Sequence, residues 1–200
     1  MKRIFLSCCF ILAAPAMAQG PARQITLDKS DGGSVVTELG YGISVNKGST
    51  LVRRWFTLND DTCPVSLERS GIQTVYKSER YSGSYSFAPA GTARAAKPVR
   101  AVYIVFALFD VWGERMRNLG LSEVTDLPEG GSVPFKSSWY ASENDVSEFH
   151  TSVSFVDRVM LADGTIWRAD RRAIAAKLSE VQIKVSESGL EREPPKETKK

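Results

Sequence analysis

His150 is the only histidine in the chain, and Cys63 is the only cysteine beyond the first nine residues. A thiol beside an imidazole can form a nucleophile and base pair. Nothing local supports that pairing. Cys63 precedes Pro64 after the turn-forming run Asn59-Asp60-Asp61-Thr62, and no helix start follows it to lower the thiol pKa. A small hydrolase using His150 is therefore the weakest of the functional readings. Glu143, Asn144, Asp145 and Glu148 offer the oxygen ligands that calcium prefers. Their spacing lacks the alternating acidic order of a calcium loop, so a solvated acidic loop is expected at Ser142–Asp145. The chain contains no G-x-S-x-G, no P-loop and no G-x-G-x-x-G. These residues assign no catalytic group, no metal and no cofactor.

What remains is aromatic. Trp112 falls in a turn, and Trp139-Tyr140 falls at a strand end. Exposed rings at such places can stack on sugars, so these three are the candidates for a carbohydrate-binding module. Tyr81, Tyr85 and Phe87 lie in YSGSYSFAPAGTARAA, a small, flexible segment. Tyr, Ser and Gly make adaptable contact surfaces, and these three are the candidates for protein interaction. The plainer reading of the same segment is a strand followed by an exposed loop.

Both sets need a scaffold, and Val99–Asp110 is its centre. This apolar run is rich in Val, Ile, Tyr and Phe, which favour strands. Alternation puts Val102, Ile104, Phe106 and Leu108 on one face. Ala101, Tyr103, Val105, Ala107 and Phe109 share the other. Neither face is polar, so the strand belongs inside a sheet, with a second sheet on one side and another cover on the other. A tight hairpin follows Asp110. Strands are also expected at Gln24–Asp28, weakly at Leu39–Asn46, and at Leu51–Leu58, Glu114–Leu119, Ser132–Trp139 and Ile166–Arg168. A hairpin is expected around Ser70-Gly71, between Val65–Arg69 and Ile72–Lys77. Thr151–Leu161 would place Val153, Phe155, Val159 and Leu161 on one face. Asp163-Gly164 then makes a hairpin turn. Asp157 interrupts that strand and calls for an arginine partner such as Arg100 or Arg158. Asp170 caps a short helix whose stripe of Ile174, Leu178 and Val181 is suited to cover the second face of the central strand. Val181–Val185 alternates and could leave the helix as a strand.

The motif Phe106-Ala107-Leu108-Phe109-Asp110 resembles the F-x-L-Y-D signature of FxLYD domains, with Phe in place of Tyr. Asp126-Leu127-Pro128-Glu129-Gly130-Gly131-Ser132-Val133-Pro134-Phe135 resembles that family's second segment. The resemblance spans roughly Leu51 to Trp139. It implies an immunoglobulin-like β-sandwich in an extracytoplasmic bacterial protein, and it implies no activity. The long Tyr81–Ala96 stretch departs from the family.

The first residues agree with that compartment. A basic start, an apolar run and Ala16-Met17-Ala18 make a secretory signal peptide, with cleavage expected after Ala18. That run is too short to span a bilayer, and no stable membrane span is expected elsewhere. Loss of Lys2 and Arg3 lowers the formal charge from +3 to +1, so basicity does not point to nucleic acid. The domains expected are residues 1–18 as leader, 19–185 as one β-sandwich with one short C-terminal helix, and 186–200 as a disordered polyampholyte tail. The function expected is an exported, non-enzymatic interaction module in the periplasm or envelope, with an envelope protein partner or self-association. The carbohydrate-binding module is the alternative.

Overall fold

The computed structural model describes residues 23–34, 52–78 and 83–191. The leader, the weak strand at Leu39–Asn46, Tyr81 and residues 192–200 lie outside the described residues. Ten strands are formed among the described residues: β1 (Ile25–Ser34), β2 (Val52–Asp60), β3 (Val65–Ser78), β4 (Gly83–Ala95), β5 (Val99–Phe109), β6 (Arg115–Leu127), β7 (Ser132–Lys136), β8 (Trp139–Ala141), β9 (Thr151–Leu161) and β10 (Ile166–Arg168). Two helices, α1 (Glu143–Glu148) and α2 (Arg171–Ser179), join them.

The strands make two sheets packed as a sandwich. One runs β1-β2-β9-β5-β6, with β10 also on β9, and the other runs β3-β4-β7, with β8 also on β4. The orders β3-β4-β7 and β10-β9-β5-β6 match the A-B-E and G-F-C-C′ orders of immunoglobulin-like sandwiches. One pairing departs from an all-antiparallel sandwich. β2 runs parallel to β9, from Arg54 against Thr151 to Leu58 against Phe155. It shares that edge of β9 with β10, which pairs from Met160 to Arg158.

β5 is buried on both faces, as its composition requires. Val102, Ile104, Phe106 and Leu108 join Phe87, Phe135, Phe149 and Val159 in the core between the sheets. Tyr103, Val105, Ala107 and Phe109 join Phe56, Val153 and Phe155 in a second core on the outer side of the larger sheet. Its roof is α2 and the segment after it, through Ile174, Leu178, Ile183 and Leu190. The Asp170 carboxylate caps α2 by accepting from Ala173 N at 3.0 Å. Nine residues make α2 about 13 Å long, too short to roof the length of β5.

Five expectations are corrected by this arrangement. Ser70-Gly71 is not a turn, because β3 continues through it. Arg69 and Ser70 together oppose Gly91, forming a bulge in which Arg69 takes φ +51. The strand expected after Tyr81 is formed, but it runs from Gly83 to Ala95 of the smaller sheet with no exposed loop following its first part, and Phe87 is fully buried. Pro89 is tolerated there because its nitrogen side faces the gap between β7 and β8, where its carbonyl accepts from Ser137 N at 3.0 Å. Ser142–Asp145 starts α1 with a capping box: Asp145 N donates to Ser142 Oγ at 3.1 Å, and Ser142 N donates to Asp145 Oδ2 at 2.9 Å. Val181–Val185 forms no strand. The expected disordered tail does not begin at Ser186, since Leu190 is fully buried. Asn118 Nδ2 donates to Gly189 O at 2.8 Å and to Glu191 O at 2.7 Å, tying that segment to β6.

Candidate docking face

Asp157 decides where the larger sheet is covered and where it is open. Ile104 pairs with Val156 and Tyr103 pairs with Arg158, so Asp157 is an extra residue in β9. The bulge reverses the alternation. Val153 and Phe155 face the outer core, while Val159 faces the inner one with Leu161 packed against it. The four residues therefore do not share a face, contrary to strict period-two reading. The Asp157 carboxylate is buried and accepts from Arg171 Nε at 2.9 Å, with Arg158 Nε 3.4 Å from its other oxygen. Arg171, more than Arg158 or Arg100, is thus the partner that a buried acid demanded. The same bond raises the Arg171 pKa above its ordinary value.

Beyond the bulge the roof stops. Val124, Ala101, Met160 and Ile166 are successive cross-strand partners on β6, β5, β9 and β10. Cross-strand partners point to one face, so they make a single row. Val124 is 79 % exposed, Ile166 48 % and Met160 41 %. The next row, one strand repeat closer to α2, is Ser122, Tyr103, Arg158 and Arg168. Arg158 lies over the Tyr103 ring at 4.6 Å. Apart from Val124, the residues of the two rows line a groove of about 230 Å³. Sequence reading missed this face. Ile166 and Arg168, two apart after Asp163-Gly164, are its one local signal.

The sequence candidates are dispersed. Cys63 sits past the end of β2 and lines a small cavity with Trp167 and Phe155. Burial pushes its thiol up to about 12, and Val65 N donates to its sulfur at 3.4 Å. His150 lies at the other end of β2, about 20 Å away by strand rise. The two cannot act together. The His150 Nδ1 is 3.0 Å from Thr151 Oγ1. Burial, then the nearby Arg54 charge, lowers its pKa, against smaller opposing effects of the Val52 carbonyl and Asp110. Among the described residues no group of three His, Cys, Asp or Glu side chains is gathered to hold a metal. The acidic residues near Asp145 serve as a helix cap instead.

Tyr85 is half-buried, with its ring 4.8 Å from that of Tyr76. Phe87 lies in the core and is therefore not exposed beside Tyr85, while Tyr81 lies outside the described residues. Trp139 is half-buried against the inner core. Tyr140, its neighbour on β8, therefore points to the opposite face and is exposed. Trp112 projects from the β5–β6 turn of the other sheet, 83 % exposed, at the rim of a cleft of about 90 Å³ shared with Asp110 and His150. The three aromatics do not converge on one platform.

No family model matches the chain, and no curated protein matches it. A solved structure of a hypothetical protein from Peptoclostridium difficile 630 is similar at 12 % identity with a TM-score of 0.40. That similarity covers 65 % of this chain and 97 % of the other.

Proposed function

We propose that this protein is an exported, non-enzymatic β-sandwich that works as a protein-interaction module in the periplasm or cell envelope. The observation that carries the reading is the exposed apolar row crossing four strands, Val124, Ala101, Met160 and Ile166, at the open end of the larger sheet. Contiguous exposed apolar side chains rimmed by polar ones mark interaction sites. The leader-like N-terminus and the resemblance to FxLYD domains support the compartment. The occupant is a different protein that presents carboxylates. Two-fold docking of this face on itself would bring the arginine pairs of two copies together, whereas an acidic partner complements them.

Photo-cross-linking from Met160 or Ile166 in living cells tests this. One envelope protein should be captured from both positions and not from Glu129, on the β6–β7 turn. The purified pair should form a complex that Ile166→Asp weakens at least tenfold without moving the melting temperature. Capture from Glu129 alike, or only of a second copy, overturns the reading.

A second reading rests on Trp112, whose indole is exposed beside the Asp110 and His150 cleft. It is a carbohydrate-binding module. Glycan titrations that quench the Trp112 fluorescence, with no quenching in Trp112→Ala, would establish it.

A further inference from the structure

Arg158 and Arg168 face each other directly across the β9–β10 ladder. Like charges in that position cost stability. The nearest acid relieves the cost on one side only. Asp157 accepts from Arg171 through its Oδ1 and lies 3.4 Å from Arg158 Nε through its Oδ2, whereas among the described residues Arg168 makes no ion pair. Arg158 is held in place by the Tyr103 ring beneath it, which limits the freedom it would lose on binding. Ser122 completes the row on the far side of Tyr103. This costly, oriented pair lines the same groove as Met160 and Ile166.

We infer that Arg158 and Arg168 form a carboxylate-receiving subsite, and that the partner enters as an extended segment with an acidic side chain two residues from an apolar one. The inference rests on the docking reading above and names the chemistry of its occupant. The spacing follows from the two rows. They are one strand repeat apart, about 6.6 Å, which is also the spacing of side chains i and i+2 on an extended segment. A segment laid along the strands sets one side chain on the apolar row and the next on the arginine row. Each guanidinium can donate two N–H groups to one carboxylate, and the paired arginines then share a counter-charge.

The probe is an eight-residue peptide, Val-Ser-Glu-Ser-Val-Ser-Glu-Ser, with its Glu→Gln counterpart as control. It is titrated into the full exported chain while the arginine side-chain Nε signals are followed by NMR. The Arg158 and Arg168 signals should move with the Glu peptide and at least tenfold less with the Gln peptide. Arg168→Gln should abolish the response while leaving the melting temperature unchanged or higher, because a repulsion is removed. Equal responses to both peptides, or a lower melting temperature, overturn the subsite. So does binding of the chain to phosphatidylglycerol vesicles that depends on the same two arginines. Cellular cross-linking from Met160 separates the two ideas. If Arg168→Gln keeps the partner and Ile166→Asp loses it, the subsite fails and the docking face stands. If both keep it, the docking face itself fails.

Discussion

The outer side of the larger sheet has two halves that share β5 and β9. In one, Val105, Ala107 and Phe109 meet Val153 and Phe155 beneath Leu178, Ile183 and Leu190. In the other, Ala101, Val124 and Met160 are left without a roof. Both halves are apolar, so hydrophobicity alone does not say which is core. The difference lies in the reach of the C-terminal segment and in the bulge at Asp157. That bulge brings Arg158 onto the outer face and supplies the anchor for Arg171 at the start of α2. The roof is thus fastened at the boundary, and the open half begins there.

Removing the roof should cost most. Leu178→Ala leaves a cavity over Phe155 and is expected to destabilise by about 3 kcal/mol in denaturant unfolding. A loss below about 1 kcal/mol would mean that the helix is loosely seated and the two halves are less distinct than they look. Breaking the boundary comes next. Asp157→Ala strands Arg171 and removes the fastening, at about 2 kcal/mol, below the range for fully buried pairs because Arg171 keeps some solvent. It should also increase hydrogen exchange in α2 more than in β5. On the open half, Ile166→Ala should change stability by less than about 0.5 kcal/mol, since the side chain is half exposed and outside both cores. A larger loss would make that half a structural surface.

The smallest effect is expected at His150, which lines a cleft with Val181 and Ile183 at the far end of the covered half. Its folded pKa is lowered from the ordinary 6.5. The unfolded chain therefore takes up this proton first as pH falls. The contribution of His150 is complete above about pH 6.5 and is lost as pH drops towards the folded value. Unfolding midpoints measured between about pH 7 and 5 should fall less steeply in His150→Gln than in the parent chain. An unchanged slope would show that the imidazole is as solvated as in the unfolded chain.

The parts legible in the sequence are those governed by local alternation or a local cap. Val102 to Phe109 sort onto two faces as period two dictates, because no bulge interrupts that stretch of β5. Asp170 and the Ile174–Leu178 stripe identify a capped helix that needs an apolar surface to cover. The capping box at Ser142 and Asp145 was equally local, and its acidic residues read more readily as a loop. The candidate site was far less legible. Its two rows draw on β5, β6, β9 and β10, and only pairing register makes Val124 a neighbour of Ala101 and Arg168 a neighbour of Arg158.

Phe87 and Leu190 show the same limit from the other side. One lies among serines and glycines and the other in a charged tail, so composition places both in solvent. Each is fully buried because a distant element comes to it: Phe149 packs against Phe87 with centroids 5.3 Å apart, and Asn118 holds the backbone on either side of Leu190. By itself, then, the sequence determined a strand with two apolar faces, the helix suited to roof one of them, and a β-rich class. The tertiary structure decided how much of that face the roof covers and which residues stand beside the gap. Strand propensity and capping are properties of neighbours in the chain. A bulge, a register and the reach of a nine-residue helix are settled only when separate segments compete for the same surface.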